Sequence, residues 1–190
     1  MGINMIKIKN KKESNYYIKL FGLNQFPKIV FKEFDAGKAL DFINKYDAKF
    51  YAVRDLVRAN SSIFNLKVKK ESLLDYTRAL TDFGINVSSY NYQENQLLTG
   101  EVKIDRDLSI SLTASNRCDY SARDAVKNPD FNFVSDIFDS RIKNIDGLEQ
   151  VINYIFKYNL FGIIVEFSSF DINLGTNNES VIVYELRTDY

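Results

Sequence analysis

A chain of 190 residues, 45% hydrophobic and 26% charged, fits one ordinary globular domain or two tightly packed lobes. Its 25 basic and 25 acidic side chains cancel, which argues against a dedicated nucleic-acid binder. The absence of histidine excludes Ser-His-Asp and Cys-His nucleophile systems, His-ligated zinc and a phosphohistidine carrier.

The single cysteine, Cys118, excludes an internal disulfide and reads as a small buried residue. No run reaches the roughly 18 apolar residues of a membrane span, so no membrane association and a cytoplasmic, reducing location are expected. Fifteen Phe and twelve Tyr, with no Trp, predict an aromatic-rich core.

Taken in order, residues 3–8 alternate like a short strand, and Lys7, Lys9, Lys11 and Lys12 read as a solvated basic edge that discourages sheet-to-sheet pairing. Residues 16–23 suggest a short helix ending at Gly22, and 28–34 a strand after Pro27. Asp35 is a good N-cap for a helix carrying Ala39, Leu40, Ile43 and Tyr46 at helical spacing. Residues 49–54 read as a strand buried on both faces with Arg54 at its carboxyl end. The run from Asp55 to Ser62 is polar and loop-like, and 63–68 is a strand candidate.

A helix is expected over 70–83, closed by Gly84, then a strand over 85–90. Tyrosines interleave with polar residues over 88–96, as on the exposed side of a hairpin or a base-stacking surface. Residues 96–105 and 107–112 suggest a meander. The polar stretch 115–131 holds Arg117 and Arg123 as candidate anion contacts, with Ser121 capping a short helix 122–126. Residues 133–142 fit either helix or strand. Asp146 is expected to cap a helix over 147–158, with Leu148, Val151, Ile152, Ile155 and Phe156 inward.

The last thirty residues read as two strands joined by a polar loop holding Asp171 and Asn173. In the first strand Ile164, Glu166 and Ser168 share a face. In the second, strict alternation groups Val181, Val183, Glu185 and Arg187. Pairing as a hairpin would set Glu166 and Glu185 on one side. Two carboxylates there repel unless a cation lies between them. A hard divalent ion with oxygen ligands is one remedy and Arg187 another; alternatively the charges decorate a solvated sheet face. No Walker A, dinucleotide-binding glycine fingerprint or zinc spacing occurs.

Several segments, taken in order over residues 22–188, resemble the ATP-grasp fold, specifically the ATP-binding domain of phosphoenolpyruvate synthase and pyruvate phosphate dikinase. Tyr51-Ala52-Val53-Arg54-Asp55 is similar to a strand that ends in a phosphate-binding arginine. Residues 61–80 are similar to the serine-containing loop, strand and helix that follow, with Ile63-Phe64 where a small residue is expected. VEFSSF and VYELRT resemble the terminal strands, placing Glu166 and Glu185 as magnesium ligands and Arg187 as the charge-neutralising arginine.

The resemblance implies an α+β, ATP-grasp-like architecture of two small lobes with largely antiparallel sheets, divided at residue 84 (1–84 and 85–190). It implies Mg²⁺ and ATP bound between the lobes, with phosphoryl transfer or ligation to a carboxylate-type acceptor. Arg187 would be catalytic; Arg54, Lys28 and Arg123 would contact phosphates; Glu166 and Glu185 would hold the metal. The competing readings are a non-catalytic module that binds a protein partner or a second copy of itself, and a single-stranded nucleic-acid binder.

Overall fold

The computed structural model describes residues 6–56 and 64–188. Most of the expected polar loop, and Ile63, lie outside them. The chain forms two compact units, Phe26–Gln93 and Met1–Gln25 with Glu94–Tyr190. The expected division at residue 84 falls inside a strand. No described helix is long and apolar enough to cross a membrane.

The unit Phe26–Gln93 is a four-stranded antiparallel sheet with helices. Its elements are β1 (Lys28–Phe31), α2 (Ala36–Lys45), β2 (Phe50–Asp55), β3 (Phe64–Lys69), α3 (Leu73–Thr77) and β4 (Phe83–Val87), and α1 (Lys11–Leu20) precedes it in the chain. Strand order is β1-β4-β2-β3. One sheet face buries Phe31, Tyr51, Val53, Phe83, Ile85 and Val87. As expected, Asp35 caps α2, accepting from the Lys38 N–H at 3.0 Å, and Ala39, Phe42 and Ile43 are its buried stripe.

Several expectations for this unit change. β2 is buried on one face: Tyr51 and Val53 are enclosed, while Phe50, Ala52 and Arg54 are half-exposed. The helix expected over 70–83 is a 3-10 turn, Lys70–Ser72, followed by the short α3. Thr77 bonds back to the Leu73 carbonyl at 2.8 Å, and Phe83 leaves the helical path to stack on Phe31 with ring centroids 4.9 Å apart. Gly84 therefore sits inside β4, opposite Val30 and Arg54, and closes no helix. Residues 88–95 form two 3-10 turns where a tyrosine-rich hairpin was expected, and Tyr92 stacks on Phe26 at 5.6 Å.

The other unit is a five-stranded antiparallel sheet with α1, α4 (Ala122–Lys127) and α5 (Leu148–Tyr158) packed against it. Its strands are β5 (Gln96–Ile104), β6 (Ser109–Ser115), β7 (Phe131–Asp136), β8 (Ile164–Leu174) and β9 (Glu179–Arg187), ordered β7-β6-β5-β8-β9. The apolar face joins Val102, Ile104, Ile110, Leu112, Val165, Phe167, Val183 and Leu186 to Ile18 and to the α5 residues Leu148, Val151, Tyr154 and Ile155. Burying a side chain of this size stabilises by about 1.5–3 kcal/mol.

Here too the details differ from expectation. Residues 6–9 form no strand, and α1 begins at Lys11 because Asn10 accepts from the Glu13 N–H at 2.9 Å. Gly147, not Asp146, stands before α5, in a left-handed conformation. Phe156 is 42% exposed while Tyr154 is buried. β8 runs to Leu174, so Asp171 and Asn173 are strand residues. The ambiguous stretch after Phe131 begins as strand, β7. Cys118 is exposed. Ser121 caps α4 as expected, in a box with Asp124 (Ser121 Oγ to Asp124 Oδ2, 2.6 Å). Ser121→Ala should lower stability by about 1 kcal/mol, measurable in urea unfolding, while Ser121→Asn should recover most of it.

Candidate functional site

The second face of the five-stranded sheet is polar, and a row of three carboxylates crosses it. Register fixes the row: Glu101 of β5 lies opposite Glu166 of β8, which lies opposite Glu185 of β9. Glu166 reaches this face by plain alternation with Ile164 and Ser168. Glu185 does not. β9 carries a bulge at Tyr184, because Phe167 pairs with Val183 while Glu166 pairs with Glu185.

The bulge corrects the alternation expected for this strand. Val181 and Val183 turn into the apolar core, and Tyr184, Glu185 and Arg187 turn to the polar face. The Tyr184 hydroxyl lies 3.1 Å from Ser168 Oγ, in keeping with that side. Without the extra residue, the charges of β9 would point into the core.

Like charges directly opposite one another across strands cost about 0.2–1 kcal/mol per pair. Cations offset that cost here. The Arg187 guanidinium donates to Glu101 Oε1, and Lys11 at the start of α1 lies 3.6 Å from Glu185. The carboxylates are only partly exposed, 23% for the Glu101 side chain and 19% for Glu185, so water screens the row incompletely. Arg187 has a further property: its Nε is buried and meets no acceptor among the described residues. A buried donor left unmet costs about 1–3 kcal/mol.

Hydroxyls complete the face beside the row. Thr99 Oγ1 and Ser168 Oγ lie 2.7 Å apart and are buried, as is Ser115, with α4 packed on β5, β6 and β8. Lys103, two residues along β5 from Glu101, pairs with Asp105 at 3.2 Å. Among the described residues no group of three or more carboxylates converges as a closed metal cage.

The structure therefore brings together Glu166, Glu185 and Arg187. Arg54 and Lys28 belong to the other unit, where they share the sheet face opposite the core: Lys28 aligns with Asn86 and Ala52, and Arg54 with Gly84 and Phe64. The Arg54 guanidinium rests over the Phe64 ring at 5.1 Å. Arg123 is exposed on α4. Sequence reasoning passed over Glu101 and Lys11 as site residues. Glu101 carried the same signal as the other two, an acid inside an alternating strand, and lacked only a hairpin partner to draw attention to it.

No family model matches the chain, and comparison with curated proteins finds no match. Solved structures do match. The macrocyclase MdnC from Microcystis aeruginosa MRC, bound with the precursor peptide MdnA, superposes with a TM-score of 0.50 at 12% identity, over 93% of this chain and 50% of that one. The D-alanine-D-alanine ligase from Coxiella burnetii matches with a TM-score of 0.45 at 15% identity, over 94% and 47%. The ADP complex of an N5-carboxyaminoimidazole ribonucleotide synthetase matches at 0.49 and 8%, over 97% and 45%. The chain spans about half the length of these proteins. The first likeness, with the two antiparallel sheets, shows a mixed α+β architecture of the ATP-grasp kind.

Proposed function

We propose that the chain binds Mg-ATP on the polar face of the five-stranded sheet and supports ATP-grasp-type phosphoryl transfer or ligation to a carboxylate acceptor. The observation that carries this reading is the glutamate row on the polar sheet face with the partly exposed Arg187 beside it. Glu166 and Glu185 would hold Mg²⁺, in the roles the phosphoenolpyruvate synthase resemblance gives them. Bound there, the ion would supply charge neutralisation of the nucleotide phosphates.

The residues of the chain have their own parts. The exposed part of the Arg187 guanidinium donates to a phosphoryl oxygen and spreads the developing negative charge. Glu101 holds the guanidinium in place from the other side, which makes it a positioning residue. Arg123, exposed on α4 of the same unit, is assigned to a further phosphate contact. In the transfer itself, an acceptor carboxylate oxygen bonds to the γ-phosphorus as the β–γ bridging bond breaks, giving an acyl phosphate and ADP. A carboxylate carried on a peptide is one candidate acceptor, since a neighbour of this fold is a macrocyclase bound with a precursor peptide.

Isothermal calorimetry with ATP and Mg²⁺ tests the reading. Binding is expected in the wild type and should weaken roughly tenfold or more in Glu166→Gln/Glu185→Gln, in line with the value of a charged contact. Absence of heat at millimolar nucleotide, or an affinity unchanged in the double variant, would remove the proposal.

A further inference from the structure

α1 begins with a charge at the wrong end. A helix dipole favours acids in the first turn and bases in the last. Glu13 and Lys19 obey that rule, but Lys11 is the first helical residue after the Asn10 cap. Its charge costs the helix a little stability where it stands. A residue that breaks a local rule needs a reason elsewhere in the fold. Here the reason lies on the sheet: the Lys11 ammonium is 3.6 Å from Glu185 in the carboxylate row.

Hydrogen bonds on both sides of Lys11 hold it there. The Ile8 N–H donates to Thr188 Oγ1 at 3.0 Å, and the Thr188 N–H donates to the Ile8 carbonyl at 3.4 Å. On the other side, the Leu186 N–H donates to Ser14 Oγ at 2.7 Å. These bonds fasten the start of α1 to the end of β9, beside Arg187, and both Ile8 and Ser14 are buried. Lys11 itself is 49% exposed, and its nitrogen stands beyond an ordinary hydrogen bond from Glu185. The contact is a loose pairing of charges that an incoming anion can replace. A point charge on a flexible four-carbon stem can turn from one oxygen to another without moving the backbone.

We infer that Lys11 is a further phosphate contact of the nucleotide site, its ammonium turning from Glu185 to a phosphate oxygen when nucleotide binds. This rests on the Mg-ATP reading of the polar face and adds to it a residue from outside the sheet. Glu185 cannot serve a metal ion and the ammonium together without setting two cations side by side. Lys11 therefore leaves Glu185 as the ion is taken up, and the accompanying phosphates give it a new partner. Lys12, the next residue, is exposed and lies about 100° further round the helix, so it carries the same charge in a different direction.

Calorimetric titration of the full chain with Mg-ATP, beside a circular-dichroism melt, tests the inference. Lys11→Met keeps the stem and removes the charge. It should weaken binding roughly tenfold, the lower end for a hydrogen bond to a charged group. Lys11→Arg should keep most of the affinity, and Lys12→Met should change it by no more than about twofold. The melt of Lys11→Met should not fall, because the lost pairing is offset by relief at the helix N-terminus. In a Glu185→Gln background the tenfold loss should persist. Its disappearance there would mean that Lys11 acts only by holding Glu185, and the inference would be overturned. Equal losses in Lys11→Met and Lys12→Met, or weaker binding with an early melt, would overturn it too. A wild type that binds no Mg-ATP removes the nucleotide reading and this inference with it. A wild type that binds, is weakened by Glu166→Gln/Glu185→Gln and is unchanged by Lys11→Met removes the inference alone.

Discussion

Asn24→Ala is expected to lower unfolding free energy by about 3–5 kcal/mol, well beyond the loss of one ordinary hydrogen bond. Asn24 is fully buried where the chain passes the β8–β9 hairpin. Its side-chain amide donates to the carbonyls of Leu174 at 2.8 Å and Val181 at 2.9 Å, with Glu179 further out at 3.2 Å. Its Oδ1 accepts from the Asn177 N–H at 2.8 Å. One carboxamide thus serves both strands and the turn between them. Alanine leaves the carbonyls of Leu174 and Val181, both on buried residues, without partners, at about 1–3 kcal/mol for each group, and frees the Asn177 N–H and the Glu179 carbonyl nearer the surface.

The backbone bonds of residue 24 remain in the variant, including its N–H to the Tyr154 hydroxyl at 2.7 Å. Burial raises the pKa of that phenol well above the usual range, so it stays neutral and its bond does not depend on pH near 7. The effect of Asn24→Ala should accordingly be the same at pH 6 and pH 8. Thermal unfolding followed by circular dichroism checks both statements. A loss under about 1 kcal/mol, the value of a single ordinary hydrogen bond, would mean that the hairpin is held by its own ladder and that Asn24 merely fits beside it.

Gly100→Ala should be nearly as damaging, by about 3–5 kcal/mol, for a different reason. Gly100 has a φ of +151°, and a Cβ there would lie 2.2 Å from the Thr113 carbonyl oxygen and 2.6 Å from the Ala114 Cα. These are backbone atoms of the paired strand β6, so no rotamer change relieves the clash. Either β5 and β6 separate or Gly100 twists. Both moves carry Glu101, the next residue, out of the carboxylate row. The variant should therefore melt earlier and, measured below its transition, bind Mg-ATP more weakly than a variant of equal instability in α2, such as Ile43→Ala. Equal binding in the two would detach Glu101 from the site.

Much of the architecture was legible in the amino-acid order. The Asp35 and Ser121 caps, the strand 96–105, the terminal hairpin and the mixed α+β class all follow from local chemistry, because caps and turns are decided by neighbours a few residues away. The helix expected through Phe83 failed for a non-local reason. Phe83 stands in β4 and stacks on Phe31, fifty-two positions earlier. The exposed Cys118 and the exposed Phe156 were likewise misjudged by residue type, since burial depends on what packs above a residue and not on its hydrophobicity alone.

The sequence by itself determined that acids stand inside apolar strands, that no histidine chemistry is possible, and that Glu166 and Ser168 share a face. Only the assembled sheet decided that Glu101 completes a row with Glu166 and Glu185, and that an extra residue at Tyr184 turns Glu185 and Arg187 away from the core. A side chain's face follows from alternation within its strand, which is local. Its neighbours across the sheet follow from register, and register is settled by which apolar faces bury together, a property of the whole unit.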